Sequence, residues 1–383
     1  MIFKYNAIKN FINTFIGEET VKKIIFGKKV EILTSSNWSK ELNDSVDLYS
    51  DCEYSTVDII IQILDDPFLI DVLSNNPKIF KVSHSGFQVD FGSAIVSWEL
   101  KELEPLYVKV FLRDPFKNNL NLIRKIMSME YSTRTEWFVQ ILHELILIPT
   151  AHFFSDLTVI HAACIGTEKG CLLLTGTGGV GKSSALLAVA NIDNISFISD
   201  DIVVIDKEGI VYGNMAWPKI YGYNCEGNLF ESLILKDRSF IDRAHFYIKK
   251  RNNPASVRRK LKPNRIFKNC ISTGVPIFGI YFLFKEVCEN IAISKISKNK
   301  AVDATIHIMN SEYQVFYKFL EWLEYNCSLI KKNPLITMDK VKTNWKNNLN
   351  LSFNTVHKVS IPINIDHAIY QKNIREIITK NFN

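Results

Sequence analysis

The sequence contains few glycines and prolines, no paired cysteine motif and no long apolar run. Its 383 residues include 16 Gly and 11 Pro, too few for a collagen-like or low-complexity chain. The 7 cysteines are widely spaced and form no C-x-x-C pair, so neither a zinc site nor a disulfide framework is predicted. The longest charge-free apolar run, residues 271–284, is too short to span a bilayer. We therefore expect a globular protein with reduced thiols, no membrane partner and a cytoplasmic location.

The N-terminus has no secretory signal pattern, because Lys and Asn interrupt its apolar residues. The spacing instead predicts an amphipathic helix within residues 1–19, with an apolar face of Phe3, Ile8, Phe11, Ile12 and Phe15.

The net charge of +6 is modest and is concentrated in one segment. Nine basic residues and no acidic residue lie between Lys249 and Lys268. A general nucleic-acid-binding protein would spread positive charge over a whole face, so nucleic acid is not an expected partner.

The length predicts more than one domain. Residues 1–130 contain short β-like runs at 57–64, 87–91, 95–100 and 106–112, which indicate an α+β domain. Residues 132–154 are predicted to be a helix with a capping box of Thr133 and Glu136. From residue 159 a strand, a glycine-rich turn, a helix and a strand follow, which is an α/β pattern. This second domain is placed at 131–310, with a strand at 277–284. A C-terminal extension at 311–383 should contain a helix at 311–329 and a strand at 357–365.

The glycine-rich turn matches the P-loop pattern G-x-x-x-x-G-K-[ST]. The residues predicted to bind the phosphates are Gly176, Thr177, Gly178, Gly179, Val180, Gly181, Lys182, Ser183 and Ser184. A buried strand at 171–175 precedes them and a helix follows at 184–190, as the pattern requires. The glycines let backbone N–H groups approach phosphate oxygens. Lys182 can reach the β- and γ-phosphates, and the Ser183 hydroxyl can ligate Mg²⁺.

Two carboxylates follow the next predicted strand, at residues 195–199. Asp200 and Asp201 lie where a parallel neighbouring strand would end opposite the P-loop. Adjacent residues point to opposite sides of a strand, so one acid can hold Mg²⁺ while the other accepts a proton from an attacking hydroxyl. An ordinary pair of turn aspartates is the alternative.

His161 is predicted to lie on a strand at 158–165, directly before the P-loop strand. A single histidine among apolar residues is more often a buried structural residue than a functional one.

Three segments together resemble the HPr kinase-like P-loop kinases: Ile-His-Ala-Ala-Cys-Ile at 160–165, the P-loop with its strand at 171–184, and Phe-Ile-Ser-Asp-Asp-Ile-Val-Val at 197–204. That family includes HPr serine kinase/phosphorylase and kinases that phosphorylate a serine of lasso-peptide precursors; ATP-dependent phosphoenolpyruvate carboxykinase is a distant fold relative. The resemblance extends more weakly over residues 130–310. It implies an α/β P-loop kinase core, ATP and Mg²⁺ as cofactors, and is compatible with a homo-oligomer.

Carried over by position, the resemblance implies that Asp200 is the base that activates the acceptor hydroxyl and that Asp201 is the metal-side acid. It places His161 beside the reacting phosphate and gives Lys182 and Ser183 to the phosphates and Mg²⁺. The C-terminal signature segment of the HPr enzyme is not found, which favours a different hydroxyl acceptor.

The basic segment at 249–268 has two interpretations: a solvated charged loop, or a mobile lid that carries positive charge to the transferred phosphoryl group. In the second, Arg258 and Arg259 are the candidate substrate- or phosphate-binding residues. Glu226 is a further candidate metal-side acid.

The leading hypothesis is thus an ATP- and Mg²⁺-dependent kinase acting on a hydroxyl, either a serine of a peptide or protein or a small-molecule alcohol. The alternative is a nucleotide-binding regulatory or interaction module with little phosphoryl transfer. A GTPase is a weaker hypothesis, because the guanine-reading N-K-x-D motif is absent from the sequence.

Overall fold

The computed structural model describes residues 18–100, 104–117, 127–225 and 229–382. The predicted N-terminal helix lies almost wholly outside the described residues, and Glu18 and Glu19, at the edge of that prediction, belong to a strand. Glu226 also lies outside them. Among the described residues, none of the helices combines the length and the apolarity that a bilayer-spanning helix requires.

The N-terminal part of the chain forms one mixed eight-stranded sheet in the order β1-β2-β3-β8-β7-β6-β5-β4. Its strands are β1 (Glu18–Ile25), β2 (Lys28–Ser35), β3 (Ile59–Leu64), β4 (Val72–Ser74), β5 (Phe80–Ser83), β6 (Gly86–Asp90), β7 (Ala94–Glu99) and β8 (Leu106–Leu112). In β8 every second side chain is buried, which is the period of a strand with one covered face. The four strands predicted from this alternation are confirmed as β3, β6, β7 and β8 to within two residues at each end.

A helical segment, residues 134–151, packs against this sheet. The helices in the described chain are α1 (Ser39–Val46), α2 (Arg134–Ile141), α3 (Ile148–Ala151), α4 (Lys182–Ala188), α5 (Leu229–Leu235), α6 (Phe240–Asn252), α7 (Lys298–Glu312), α8 (Gln314–Leu329), α9 (Met338–Ser352) and α10 (His367–Thr379). A π-helical turn, Leu142–Leu147, joins α2 to α3. The predicted capping box at the start of α2 is confirmed, with Thr133 and Glu136 bonding each other's backbone N–H. The indole of Trp98 on β7 donates to Thr150 Oγ1 on α3 at 2.9 Å, which fixes this segment to the sheet.

The rest of the chain builds a nine-stranded mixed sheet. Its strands are β9 (Leu157–Ile160), β10 (Ala162–Thr167), β11 (Gly170–Thr175), β12 (Ser196–Ser199), β13 (Val203–Asp206), β14 (Ile210–Tyr212), β17 (Val275–Glu286), β18 (Ala292–Lys295) and β19 (Val356–Pro362), and β15 (Lys219–Tyr221) and β16 (Arg258–Lys260) pair separately. The long strand β17 runs parallel to both β11 and β19. Strand β12 is not the direct neighbour of β11, because β10 lies between them and is antiparallel to both.

Two of the predicted elements are wrong in extent. The single strand at 158–165 is two strands, since β9 pairs with β13 whereas β10 pairs with β11 and β12. His161 lies at the junction where the chain passes from one pairing to the other. The predicted helix at 311–329 is α8 alone, and residues before Tyr313 belong to α7.

One hydrophobic core runs from Ile25 to Ile378 and includes side chains of both large sheets. It is continuous across the expected divisions after residues 130 and 310. A small second core around Ile220, Phe246 and Val257 lies beneath α6 and the β15–β16 pair. The C-terminal strand β19 therefore belongs to the same packed body as the glycine-rich turn, and this places α10 beside that turn.

Candidate active site

The glycine-rich turn connects the fully buried strand β11 to helix α4. Gly176, Gly179 and Gly181 have φ angles of 148°, 77° and 109°, which residues other than glycine rarely adopt. Gly181 is also crowded, because a Cβ there would lie 2.7 Å from the hydroxyl oxygen of Tyr370. That hydroxyl donates to the Gly181 carbonyl at 3.0 Å, so α10 supports the turn from outside the motif.

The ammonium group of Lys182 is buried at the centre of the turn. It donates to the carbonyls of Gly176 at 2.9 Å and Thr177 at 3.0 Å, and to His161 Nε2 at 2.8 Å. These contacts use all three of its N–H donors. Burial lowers the pKa of Lys182, and the negative charges of Asp201, Glu312 and Asp200 oppose that shift. The side chain is thus held where it can exchange backbone partners for phosphate oxygens.

The two aspartates after β12 have different surroundings. Asp200 is buried; its Oδ2 accepts from the Lys219 N–H at 3.3 Å, and its Oδ1 is a buried atom without a hydrogen-bond partner. Burial and the adjacent Asp201 charge raise the pKa of Asp200 to about 6, although a hydrogen bond from Ser183 opposes them. The Asp201 side chain is half exposed. One acid is therefore enclosed beside Ser183, and the other faces the open side.

His161 links Lys182 to the acids. Its Nε2 lies 3.6 Å from Asp201 Oδ1 and 4.0 Å from Glu312 Oε1. Burial lowers the pKa of His161 and the Lys182 charge adds to this, whereas the Asp201 charge opposes it. The ring is therefore neutral at neutral pH, and a neutral ring can accept the Lys182 hydrogen bond at Nε2.

These groups line one cavity of about 560 Å³. The side chains and backbone around it come from the turn, both aspartates and several later segments: His161, Gly178, Gly179, Val180, Gly181, Lys182, Ser183, Ser184, Asp200, Asp201, Lys219, Tyr221, Tyr223, Ala255, Arg258, Lys285, Glu312, Ile365, His367 and Tyr370. Of the predicted site residues that the structure describes, Gly176, Thr177 and Arg259 are not on this wall.

The described residues contain no cluster of three or more His, Cys, Asp or Glu side chains arranged to hold a metal ion by themselves. Mg²⁺ in phosphoryl-transfer sites typically has one or two protein ligands, with phosphate oxygens and waters completing the shell. The Ser183 hydroxyl and one neighbouring carboxylate on the cavity wall are a donor set of that kind. The residues present therefore fit a nucleotide-bound Mg²⁺ rather than a metal held by the protein alone.

The segment 249–268, for which a solvated loop and a mobile lid were the two interpretations, is in large part regular structure with paired charges. It contains the end of α6 and strand β16. Arg259 is 1% exposed, and its Nε donates to Asp242 Oδ1 at 2.7 Å. Arg258 does reach the cavity, where its NH1 donates to Tyr221 Oη at 2.7 Å and its Nε to Glu130.

Several residues of the site carried no signal in the sequence. Glu312 ends α7, and its Oε1 accepts from the Gly178 N–H at 3.1 Å. Lys219 lines the cavity and donates to Glu144 Oε1 at 2.8 Å. Tyr223 and His367 come from segments 144 residues apart. Only the strand pairing and the docking of α10 bring these side chains together, so no local pattern reveals them.

The Gly181–Tyr370 contact predicts a stability effect. Gly181→Ala should lower the free energy of unfolding by about 2–4 kcal/mol, since it combines left-handed strain with displacement of a buried ring. Gly92→Ala is the control, because Gly92 has a φ of 82° with no atom within 4 Å of an added Cβ. It should cost about 1 kcal/mol. Equal losses in urea unfolding would mean that Tyr370 does not constrain the turn.

The position of Arg259 predicts a structural role. Arg259→Ala leaves Asp242 buried with Arg238 as its remaining ion-pair partner, 2.9 Å away. The free energy of unfolding should fall by about 3 kcal/mol. Arg243 lies on the exposed side of α6, the helix that carries Asp242. Arg243→Ala should therefore change the free energy of unfolding by less than about 0.5 kcal/mol. A similar small effect for both substitutions would contradict this role.

No known protein-family model matches this chain, and no curated protein matches its sequence. What the cavity does is therefore inferred from the side chains that line it.

Proposed function

We propose that this protein is an ATP- and Mg²⁺-dependent kinase of the HPr kinase-like type that transfers the γ-phosphoryl group to a hydroxyl. The acceptor is a serine of a peptide or protein, or a small-molecule alcohol. The observation that carries the proposal is the shared cavity, in which a buried carboxylate with a raised pKa lies beside the hydroxyl and ammonium groups of a glycine-rich turn.

Nucleotide binding would use the turn. Residues 178–181 line the cavity, and their backbone N–H groups would donate to phosphate oxygens. Lys182 would exchange a carbonyl partner for the β- and γ-phosphates, and Ser183 with Asp201 would hold Mg²⁺. Arg258 and Lys219 add positive charge to the cavity wall, where each already has a carboxylate partner.

The transfer itself needs a base and charge stabilisation. Asp200 accepts the proton of the acceptor hydroxyl; that oxygen then bonds to the γ-phosphorus while the bond to the β–γ bridging oxygen breaks, and ADP leaves. A base with a pKa of about 6 is deprotonated at neutral pH yet still basic enough to take part. Lys182 would stabilise the charge on the transferred group, and the neutral His161 ring would hold the ammonium in place by accepting its hydrogen bond.

A nucleotide-responsive regulator is the second candidate, and the Glu312 contact favours it. The Gly178 N–H donates to Glu312 Oε1, and a phosphate oxygen would compete for that donor. Nucleotide binding would then release the end of α7. Phosphate transfer to an acceptor separates the two candidates, since a regulator would bind nucleotide without acceptor turnover.

Label transfer from γ-labelled ATP tests the roles of the acids. With Mg²⁺ and a panel of peptide and alcohol acceptors, Asp200→Asn should lower transfer by a factor of about 100 or more while ATP still binds. Asp201→Asn should instead raise the Mg²⁺ concentration needed for half-maximal transfer. Asp193→Asn is the control and should transfer label as wild type does, because the Asp193 side chain is 85% exposed and is not on the cavity wall. The reverse pattern would exchange the roles of Asp200 and Asp201; undiminished transfer in both variants would refute the proposal.

The pH dependence gives an independent test of Asp200. Only its deprotonated form accepts a proton, so kcat/KM should fall as the pH drops through about 6. After burial, the charge of Asp201 is the main cause of the raised pKa, so Asp201→Asn should move this acid limb to lower pH. A limb that stays in place in Asp201→Asn would show that another group titrates.

A further inference from the structure

One wall of the cavity is aromatic and belongs to segments outside the glycine-rich turn. The rings of Tyr221 and Tyr223 stack at 5.3 Å with an interplanar angle of 12°. The Tyr223 ring meets His367 edge to face at 5.4 Å. Tyr221 ends β15, Tyr223 lies in the following 3₁₀ turn, and His367 begins α10. Two distant segments thus contribute aromatic side chains to the same cavity as the turn.

Hydrogen bonds fix this wall beside one end of the turn. Asn224, next to Tyr223, donates from Nδ2 to Ser184 Oγ at 2.9 Å. On α10, Tyr370 donates to the Gly181 carbonyl. The aromatic wall is therefore attached where the turn enters α4. Lys182 and His161, by contrast, lie toward Asp201 and Glu312.

This arrangement orients a nucleotide. A P-loop lysine reaches the β- and γ-phosphates, and the hydroxyl after it holds the metal that bridges them. The α-phosphate and the nucleoside must extend away from those groups. From Ser184 and Gly181, which are bonded to the segments that carry the aromatic wall, the nucleoside would extend toward Tyr223 and His367.

We infer that Tyr223 and His367 form the binding surface for the nucleobase, and that they bind it through ring stacking and not through hydrogen bonds to its edge. The inference rests on the proposed nucleotide-dependent function. It adds a binding role for α10, which lies outside the expected P-loop domain of residues 131–310.

The polar groups of the wall explain why the base edge would not be read. The Tyr370 hydroxyl is engaged with Gly181, and the Tyr221 hydroxyl accepts from Arg258. No Asn or Gln side chain is among the described residues that line the cavity. Stacking on aromatic rings accepts any base, because every base has a π face. ATP and GTP should therefore bind with similar affinity.

Binding titrations of the full chain with Mg²⁺ and three probes test the inference: ATP, GTP and inorganic tripolyphosphate. Tyr223→Leu should raise the Kd of both nucleotides about tenfold, and leave the Kd of tripolyphosphate within about twofold of wild type, because tripolyphosphate has no base to stack. Tyr223→Phe keeps the ring and should bind ATP as wild type does. Tyr325→Leu is the control, since Tyr325 is 56% exposed on α8 and is not on the cavity wall.

The outcomes separate this inference from the proposed function. If tripolyphosphate and ATP both bind but Tyr223→Leu leaves the ATP affinity unchanged, the aromatic wall is not the base site. An equal loss for tripolyphosphate overturns the inference as well, because the substitution then acts on the phosphate end. A preference for ATP over GTP above about a hundredfold overturns stacking as the mode of recognition, since edge hydrogen bonds would be needed. Failure of wild type to bind any of the three probes refutes the nucleotide site itself.

Discussion

The buried ammonium of Lys182 is the charge around which the site is organised. Removing a cation from water costs several kcal/mol unless polar partners replace the water. Here two backbone carbonyls and a neutral imidazole take its three N–H groups, and three carboxylates lie near enough to oppose the lowering of its pKa. The left-handed glycines let the carbonyls turn inward to do this. The conformation of the turn and the residues around it thus both stabilise the buried Lys182 ammonium.

The residues that surround Lys182 and its turn come from distant parts of the chain. Glu312 arrives at the end of α7, and Asp200 at the end of β12. Tyr370 comes from α10, which follows the last strand of the sheet. Asp200 is positioned because β12 pairs with β10. Tyr370 is positioned because β17 pairs with both β11 and β19, so the C-terminal segment packs against the same sheet as the turn. The continuous core packs these elements together, and fixed placement of the reacting groups is what a phosphoryl-transfer site would require.

The sequence predicted whatever depends on local pattern. Strand β8 follows from alternation, the capping box of Thr133 and Glu136 from spacing, and the strand–turn–helix order around the glycines from the motif itself. It did not predict the break at His161, because pairing with β13 or with β11 is decided by the whole sheet. The prediction of Arg259 as a substrate-binding residue was wrong, because Arg259 pairs with Asp242. Asp242 lies on α6, seventeen positions earlier in the chain, and no local pattern links the two residues. Long-range ion pairs have no local signature, and Glu312 was missed for the same reason.

The balance of charge in the cavity connects binding to chemistry. Asp200 and Asp201 are adjacent acids, and their repulsion helps to keep the pKa of Asp200 near 6. The positive charges of Lys219 and Arg258 are already paired, since Lys219 pairs with Glu144 and Arg258 with Glu130. A triphosphate entering this cavity would add negative charge next to three carboxylates, so Mg²⁺ would be required to make its binding favourable. The Glu312 carboxylate, already on the Gly178 amide, would be displaced toward solvent in the same step. Under the proposed function, metal dependence and movement of α7 would therefore both follow from one electrostatic constraint.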